Sequence, residues 1–304
     1  MTSQPATHAA QRPQPHPEPG PSRPTHRRPV ADGLPRSRRS RWQLVLFLAL
    51  AYGLSWWPWV GRLTNPDADP VIPIGPSIAA VIIIGWVYGR PSRRHLLRST
   101  VNVRIGRWWW AATIPVAVAA AAAILSMLLG AAAPTGADLA MAAGTVLMTL
   151  PVVLVINGPL GEELGWRGYV LPLFLRRHSP ITATLMLIPL WIAFHLPLIL
   201  TSPDRFGLWW ALMIVGLAFT MTWLHLRAGG SVLLAIVFHT AVNTSTPAMI
   251  LLFGDGDRHL AIRLTAALWL LTATAITVGP LRRAGHLHAE GTEAAAASDH
   301  RPPR

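Results

Sequence analysis

The sequence contains no cysteine, and all 26 residues in its Lys+Arg count are arginine. The absence of cysteine excludes disulfide bonds, cysteine-ligated zinc, cysteine-ligated iron–sulfur clusters and a cysteine nucleophile. No P-loop, dinucleotide-binding glycine pattern or nucleophile elbow occurs either. Acidic residues are scarce, since Asp and Glu together number 13 while the net charge is +13. Any acid–base or metal site must therefore be built from few carboxylates and histidines.

Charge is also scarce overall, because 13% of the 304 residues are charged and 52% are hydrophobic. This balance is unlike that of a soluble domain. Apolar runs close to the spanning length of about 20 residues recur along the chain. Spanning β-strands would alternate apolar and polar residues, whereas the run from Ala117 to Leu125 is apolar throughout. The sequence therefore predicts an all-α integral membrane protein.

We expect about eight transmembrane helices around an intramembrane cavity that is open to the cytosol. Their approximate bounds are 44–60, 72–89, 108–130, 145–175, 181–200, 207–226, 231–253 and 261–280. Pro151 and Pro159 interrupt the fourth span, so we expect a kink or a tilt there. Residues 1–40 predict a disordered basic tail and residues 284–304 a second disordered tail, which leaves 41–283 as the transmembrane domain.

Arginines mark alternate loops of this predicted bundle. They are concentrated before the first span and after the second, fourth, sixth and eighth spans. Because basic loops stay in the cytoplasm, the alternation predicts a multi-pass protein of the cell membrane with both termini cytoplasmic. The expected partners of these arginines are membrane lipids, and nucleic acid is not expected.

Two adjacent carboxylates lie within the apolar region. Glu162 and Glu163 are the only glutamates between Arg41 and Pro280. Ionised side chains are costly at membrane depth, so a retained pair indicates a functional site. A plainer alternative is that both glutamates form a solvated helix end with Arg167, outside the membrane.

Two histidines from other spans can reach the same depth. At about 1.5 Å of rise per residue, Glu162, His195 and His239 lie within about 8 Å of one another in depth. Glu163 and Arg167 are four residues apart and can pair on one helix face, which leaves Glu162 for a different partner and for the role of general base. His239 and Asn243 share the same spacing. His225, close to Arg227 at a span end, is interpreted as interfacial and outside the site.

The chemistry of this set allows two mechanisms. Two imidazoles and a carboxylate (Glu162, His195 and His239) could bind a catalytic zinc ion with an open position for water. Without a metal, Glu162 could activate water while a histidine and Asn243 stabilise the oxyanion. The residues alone leave both alternatives open.

The ordered motifs resemble those of a known family. Glu162-Glu163-x-x-x-Arg167, Trp191-x-x-x-His195 and His239-x-x-x-Asn243 are similar to the EExxxR, FxxxH and HxxxN series of the CPBP intramembrane proteases. This is the CAAX-protease and bacteriocin-processing family, which includes the Ras-converting prenyl-protein endopeptidases. The resemblance covers a motif core of about 140–255, and it departs from the family pattern in having tryptophan at position 191.

The resemblance implies peptide-bond hydrolysis of a membrane-associated protein or peptide. It implies a catalytic site of Glu162, Glu163, Arg167, His195, His239 and Asn243, with Glu162 as the base that activates water. Two rival functions stay open. A transporter or proton-coupled carrier would also retain carboxylates and histidines in its spans, and an immunity or scaffold protein could keep the fold without catalysis.

Overall fold

The computed structural model describes residues 40–62, 65, 67, 71–155 and 158–281. Within these ranges every regular element is a helix and no strand occurs, so the all-α prediction is confirmed. The two predicted tails lie outside the described residues, apart from Ser40, which begins the first helix.

The α-helices α1 to α12 are, in chain order, Ser40–Gly61, Gly75–Ile83, Gly89–Thr100, Ile114–Leu128, Gly136–Val155, Pro159–Gly165, Leu171–Leu175, Pro180–Phe194, Leu196–Thr201, Leu208–Arg227, Val232–Ile250 and Asp255–Ile276. A 3₁₀ segment at Gly106–Thr113 leads into α4. Turns of π-helix extend α2 at Ile84–Tyr88, join α6 to α7 at Trp166–Val170 and extend α12 at Thr277–Leu281.

Six helices of the described residues are long and apolar enough to cross a membrane, with Gly136–Leu175 taken as one. The predicted second and fifth spans correspond to shorter helices, namely 75–88 and Pro180–Phe194. A multi-pass membrane protein is therefore supported, whereas the count of eight is not confirmed. Large apolar side chains such as Leu128, Leu147 and Met148 are exposed on the bundle surface, as expected where a protein faces lipid.

Helix α3 differs from the spanning helices in having one buried and one basic face. Gly89, at φ 77°, turns the chain out of the preceding π-helical turn. Ser92 and Leu96 are buried, while Arg90, Arg93, Arg94 and Arg98 are exposed. A short basic amphipathic helix of this kind is typical of the membrane surface rather than its interior.

The interruption of the predicted fourth span falls just before Pro159. Pro151 lies inside α5, whereas Gly158 has φ 111°, a conformation that side chains with a Cβ rarely adopt. Proline is well suited to a helix start, because its missing N–H has no intrahelical partner there. Gly158 and Pro159 therefore begin α6 as a separate helix.

The predicted fifth span is interrupted at His195. Helix α8 ends at Phe194, and α9 begins at Leu196. Pro197 has no N–H to donate to the carbonyl of Ala193, so a continuous helix would leave that acceptor without its bond. The break places the His195 side chain at a helix end instead of on a regular helix face.

Candidate active site

Short helix α6 carries both glutamates and lies against the start of α2. A Cβ added to Gly165 would lie 2.5 Å from Cβ of Pro76, and one added to Gly161 would overlap the carbonyl oxygen of Pro73. The hydroxyl of Ser77 also donates to the carbonyl of Leu160 at 2.7 Å. Small residues four apart allow this close backbone approach, and Glu163 points to the opposite side of α6.

The π-helical turn Trp166–Val170 follows directly and carries Arg167. Its backbone closes with the N–H of Leu171 donating to the carbonyl of Trp166. Pro172, one residue further, has no N–H for the carbonyl of Gly168, and its ring would crowd that carbonyl in an α-helix. Widening of the helix accommodates Pro172, and such π turns are frequent at functional sites.

Glu163 is the centre of a buried ion-pair network. Its Oε1 accepts hydrogen bonds from Nη1 of Arg167 at 2.9 Å and from Nδ1 of His239 at 2.7 Å. Glu163 and Arg167 are fully buried, and His239 is nearly so. The predicted pairing of Glu163 with Arg167 is confirmed, and Glu163 also positions His239 of α11.

Glu162 turns away from this pair and binds two indoles. Its Oε2 accepts a hydrogen bond from Nε1 of Trp191 at 2.8 Å and one from Nε1 of Trp166 at 3.2 Å. All three side chains are buried. One carboxylate oxygen is thereby fixed by two donors, which sets the orientation of the other.

The second oxygen of Glu162 lies beside Gly158 and Asn243. The position that a Cβ of Gly158 would occupy is 3.0 Å from Oε1 of Glu162 and 3.6 Å from Nδ2 of Asn243. The absence of a side chain at position 158 therefore leaves space between a carboxylate oxygen and an amide donor. This space is where a water molecule or a substrate carbonyl could be held.

His195 adjoins the cluster through Trp191. Its Nδ1 is 2.8 Å from the carbonyl oxygen of Trp191, and both Glu162 and His239 are close enough to interact with it electrostatically. The ring centroid of Trp191 lies 6.4 Å from that of His195 and 5.6 Å from that of His239. The helices therefore bring all six predicted site residues into one neighbourhood.

Trp191 interacts directly with two other residues of the site. The Arg167 guanidinium lies 4.0 Å from the centre of its ring, a favourable cation–π distance. The sequence analysis treated tryptophan here as a substitute for the phenylalanine of the family pattern. In the structure its N–H holds Glu162, which phenylalanine could not do. Trp166 and Gly158 were likewise missed, although Trp166 is four residues after Glu162 and so shares its helix face.

The structure buries His225, which the sequence analysis interpreted as interfacial and outside the site. His225 is 4% exposed, and it lines a small cavity together with Arg167. His225 therefore lies close to the ion-pair network, where it interacts electrostatically with Arg167.

The fit of a zinc ion can be judged from the donor atoms. Both histidines use Nδ1 for an oxygen of the protein, which leaves Nε2 free to bind a metal. Among the described residues, however, no group of three or more His, Cys, Asp or Glu side chains is arranged to hold a metal ion. Glu162, His195 and His239 do not form a ligand set in this geometry, and the zinc site stays a prediction.

The fold and this cluster define a class of protein: a multi-pass helical membrane protein with a buried carboxylate–imidazole site. Residues 142–245, which contain every residue of that site, match the family described as type II CAAX prenyl endopeptidase Rce1-like. The match agrees with the resemblance to the CPBP family that the motifs carry.

A similar protein is CAAX prenyl protease 2 of Methanococcus maripaludis. It is 31% identical over 105 residues, which amount to 31% of this chain and 39% of the relative. The chain thus matches well under half the length of that relative. Both comparisons therefore show that this segment is similar to prenyl endopeptidases of the CAAX type.

Proposed function

We propose that this chain is an intramembrane endopeptidase in which Glu162 activates the water that hydrolyses a peptide bond. The observation that carries the proposal is the different environment of the two Glu162 oxygens. Oε2 accepts two indole N–H bonds, while Oε1 lies beside Gly158 and the amide of Asn243. A base held by one oxygen presents the other in a fixed direction, which general-base catalysis requires.

In the proposed reaction, Oε1 of Glu162 takes a proton from water, and the water oxygen attacks the scissile carbonyl carbon. The carbonyl oxygen becomes an oxyanion. The C–N bond then breaks, and Glu162 returns the proton to the leaving nitrogen. The covalent chemistry needs no protein nucleophile, which agrees with the absence of cysteine.

Hydrogen-bond donors near Oε1 of Glu162 would stabilise the oxyanion. Nδ2 of Asn243 is an N–H donor on the adjacent helix. His239, when protonated, keeps Nδ1–H on Glu163 and presents Nε2–H. Donors aimed at developing charge in a water-poor site are a large source of rate enhancement. Arg167 then has a positioning role, since it holds Glu163 and so the His239 ring.

Zinc is the alternative to this arrangement. The sequence left open a zinc ion bound by Glu162, His195 and His239, which would supply Lewis-acid chemistry, although these residues do not form a ligand set in this geometry. Metal analysis of the purified protein, together with chelator sensitivity, decides between the two. Stoichiometric zinc whose removal abolishes cleavage would replace the metal-free mechanism.

We propose a membrane-associated protein or peptide as substrate. The name of the relative from Methanococcus maripaludis makes a C-terminal peptide with a prenylated cysteine the first candidate. Quenched-fluorescent peptides with and without the isoprenoid, offered to the protein in nanodiscs, distinguish a lipid-modified substrate from a plain one.

The proposal is tested by Glu162→Gln. The amide keeps the size of the side chain but cannot take a proton, so kcat should fall by at least about 100-fold. Asp255→Asn is the matched control, because this carboxylate is 94% exposed and belongs to none of the three motifs. We expect the control to cleave at the wild-type rate and both variants to purify with the wild-type Tm.

Full activity of Glu162→Gln would remove Glu162 as the base. Liposome flux by a wild-type protein that cleaves no peptide would instead support the transporter. Biological protection that survives loss of Glu162 would support the scaffold function.

A further inference from the structure

A small cavity lies beside Arg167, lined by polar residues and by apolar ones such as Ile84, Leu96 and Val232. Its volume is about 20 Å³, and its polar lining comprises Ser92, His95, Ser99, Arg167 and His225. Three of these residues belong to the surface helix α3, and His225 belongs to α10. His95 is exposed, so one side of the cavity borders the surface.

Two side chains that line this cavity carry buried polar atoms without a hydrogen-bond partner among the described residues. Among the described residues, Nε and Nη2 of Arg167 and Nδ1 of His225 make no hydrogen bond, and both residues are more than nine-tenths buried. The two side chains also interact electrostatically. Buried polar groups in native proteins are bonded to protein or to ordered water, so these atoms indicate a bound molecule between them.

Size and charge restrict that molecule. A cavity of at least about 10–15 Å³ holds one water, provided that two to four polar partners surround it. Arg167 already interacts electrostatically with Glu163 and Glu162, and both carboxylates would repel an added anion. A water is neutral, accepts from the guanidinium and donates to an imidazole nitrogen. Ser99, whose hydroxyl donates to the carbonyl of Leu96, can accept its second hydrogen.

We propose that one structural water fills this cavity and bridges the guanidinium of Arg167 to Nδ1 of His225. His225 is then a positioning residue. Through the water, His225 fixes the part of the Arg167 guanidinium that does not bind Glu163. Arg167 binds Glu163 through Nη1, and Glu163 in turn binds His239. The catalytic consequence rests on the proposed function, whereas the water site itself does not.

A structure of the full chain in nanodiscs, at a resolution that shows waters, tests the site directly. We expect one peak within about 3.2 Å of Nδ1 of His225 and of Nε or Nη2 of Arg167. A direct bond between the two side chains with no cavity would overturn the proposal. An anomalous peak there in bromide-soaked crystals would do the same, because it would identify an anion site.

Two nearly isosteric substitutions test the positioning role. Asn at position 225 can present its Oδ1 near the place of Nδ1, whereas Leu cannot accept a hydrogen bond. We expect H225L to lower kcat about 10-fold and to change KM less than about twofold, and H225N to lower kcat less than about threefold. Equal losses in the two variants, or a loss carried by KM, would show a packing role and contradict the proposal.

The two hypotheses fail in different ways. If no peptide is cleaved by the wild type, the proposed function is wrong, and the density at the cavity still decides the water site. If H225L does not fold, the same density measurement on the wild-type protein is decisive.

Discussion

Trp191 is the residue whose importance depends most on tertiary structure. Its N–H binds Glu162 on α6, its ring face contacts Arg167 on the π turn, and its ring lies near those of two histidines. The pair Glu163–Arg167 could be predicted from the sequence because residues four apart meet on any helix. The bond between Trp191 and Glu162 could not, because it depends on where the tertiary fold places α8 relative to α6.

Trp191→Phe removes the indole N–H and keeps an aromatic ring for Arg167. Glu162 then retains only the longer bond from Trp166, so its free oxygen is less well fixed. We expect kcat to fall about 10-fold, in the range of one charge-assisted hydrogen bond. Peptide cleavage by the purified variant measures this.

Trp86→Phe is the matched control for that substitution. Trp86 is 85% exposed, so the same change there should leave kcat unaltered. If Trp191→Phe cleaves as fast as this control, the indole N–H has no role in orienting Glu162.

The ion pair allows a prediction about stability. Removing one partner of a buried pair leaves an unpaired charge, at a cost of about 3–5 kcal/mol. We therefore expect Glu163→Gln and Arg167→Met each to lower the free energy of unfolding by about this amount. The double variant should lose clearly less than the sum of the two, since neither charge remains.

The free energies of unfolding of the wild type, the two single variants and the double variant, measured in mixed micelles, form a double-mutant cycle. Strictly additive losses would mean that Glu163 and Arg167 do not stabilise each other, in spite of their 2.9 Å separation.

At the scale of helices, the sequence predicted where the apolar segments lie but not every interruption. Pro159 was recognised as an interruption, and the structure has the break there, just after Gly158. The break at His195 was missed, because an apolar run such as 181–200 carries no periodicity that marks a helix end. Pro197 was the available signal. The predicted convergence of α6, α8 and α11 came from depth alone, which says nothing about the facing direction of a side chain.

Glycine substitutions test the packing of α6 on the start of α2. Gly165→Ala would place a methyl group 2.5 Å from Pro76. We expect a loss of about 1–3 kcal/mol from this overpacking and a lower kcat, since α6 carries both glutamates. Thermal unfolding and peptide cleavage measure the two effects.

Gly144→Ala in α5 is the matched control, because its added methyl group meets no atom within 4 Å. Alanine has the higher helix propensity by up to about 1 kcal/mol, so this variant should gain stability. The two substitutions should therefore shift Tm in opposite directions. A Tm for Gly165→Ala at or above that of the wild type would contradict the tight packing.

For the whole molecule, orientation in the membrane decides which compartment supplies the substrate. The alternation of arginines predicts that the loop after the second span is cytoplasmic and that the loop between the third and fourth spans is external. Arg93 and Ala133 are exposed positions in these two regions. They lie on opposite sides of the membrane if α4 crosses it once.

The absence of cysteine makes this orientation directly measurable, because a single introduced thiol is the only site for a maleimide. In intact cells, a membrane-impermeant maleimide should label Ala133→Cys and leave Arg93→Cys unlabelled. After permeabilisation both should react, which controls for burial of either thiol. Labelling of Arg93→Cys in intact cells would show that the orientation is the opposite of the predicted one. The basic face of α3 would then lie outside the cell, and the substrate would not be supplied from the cytoplasm.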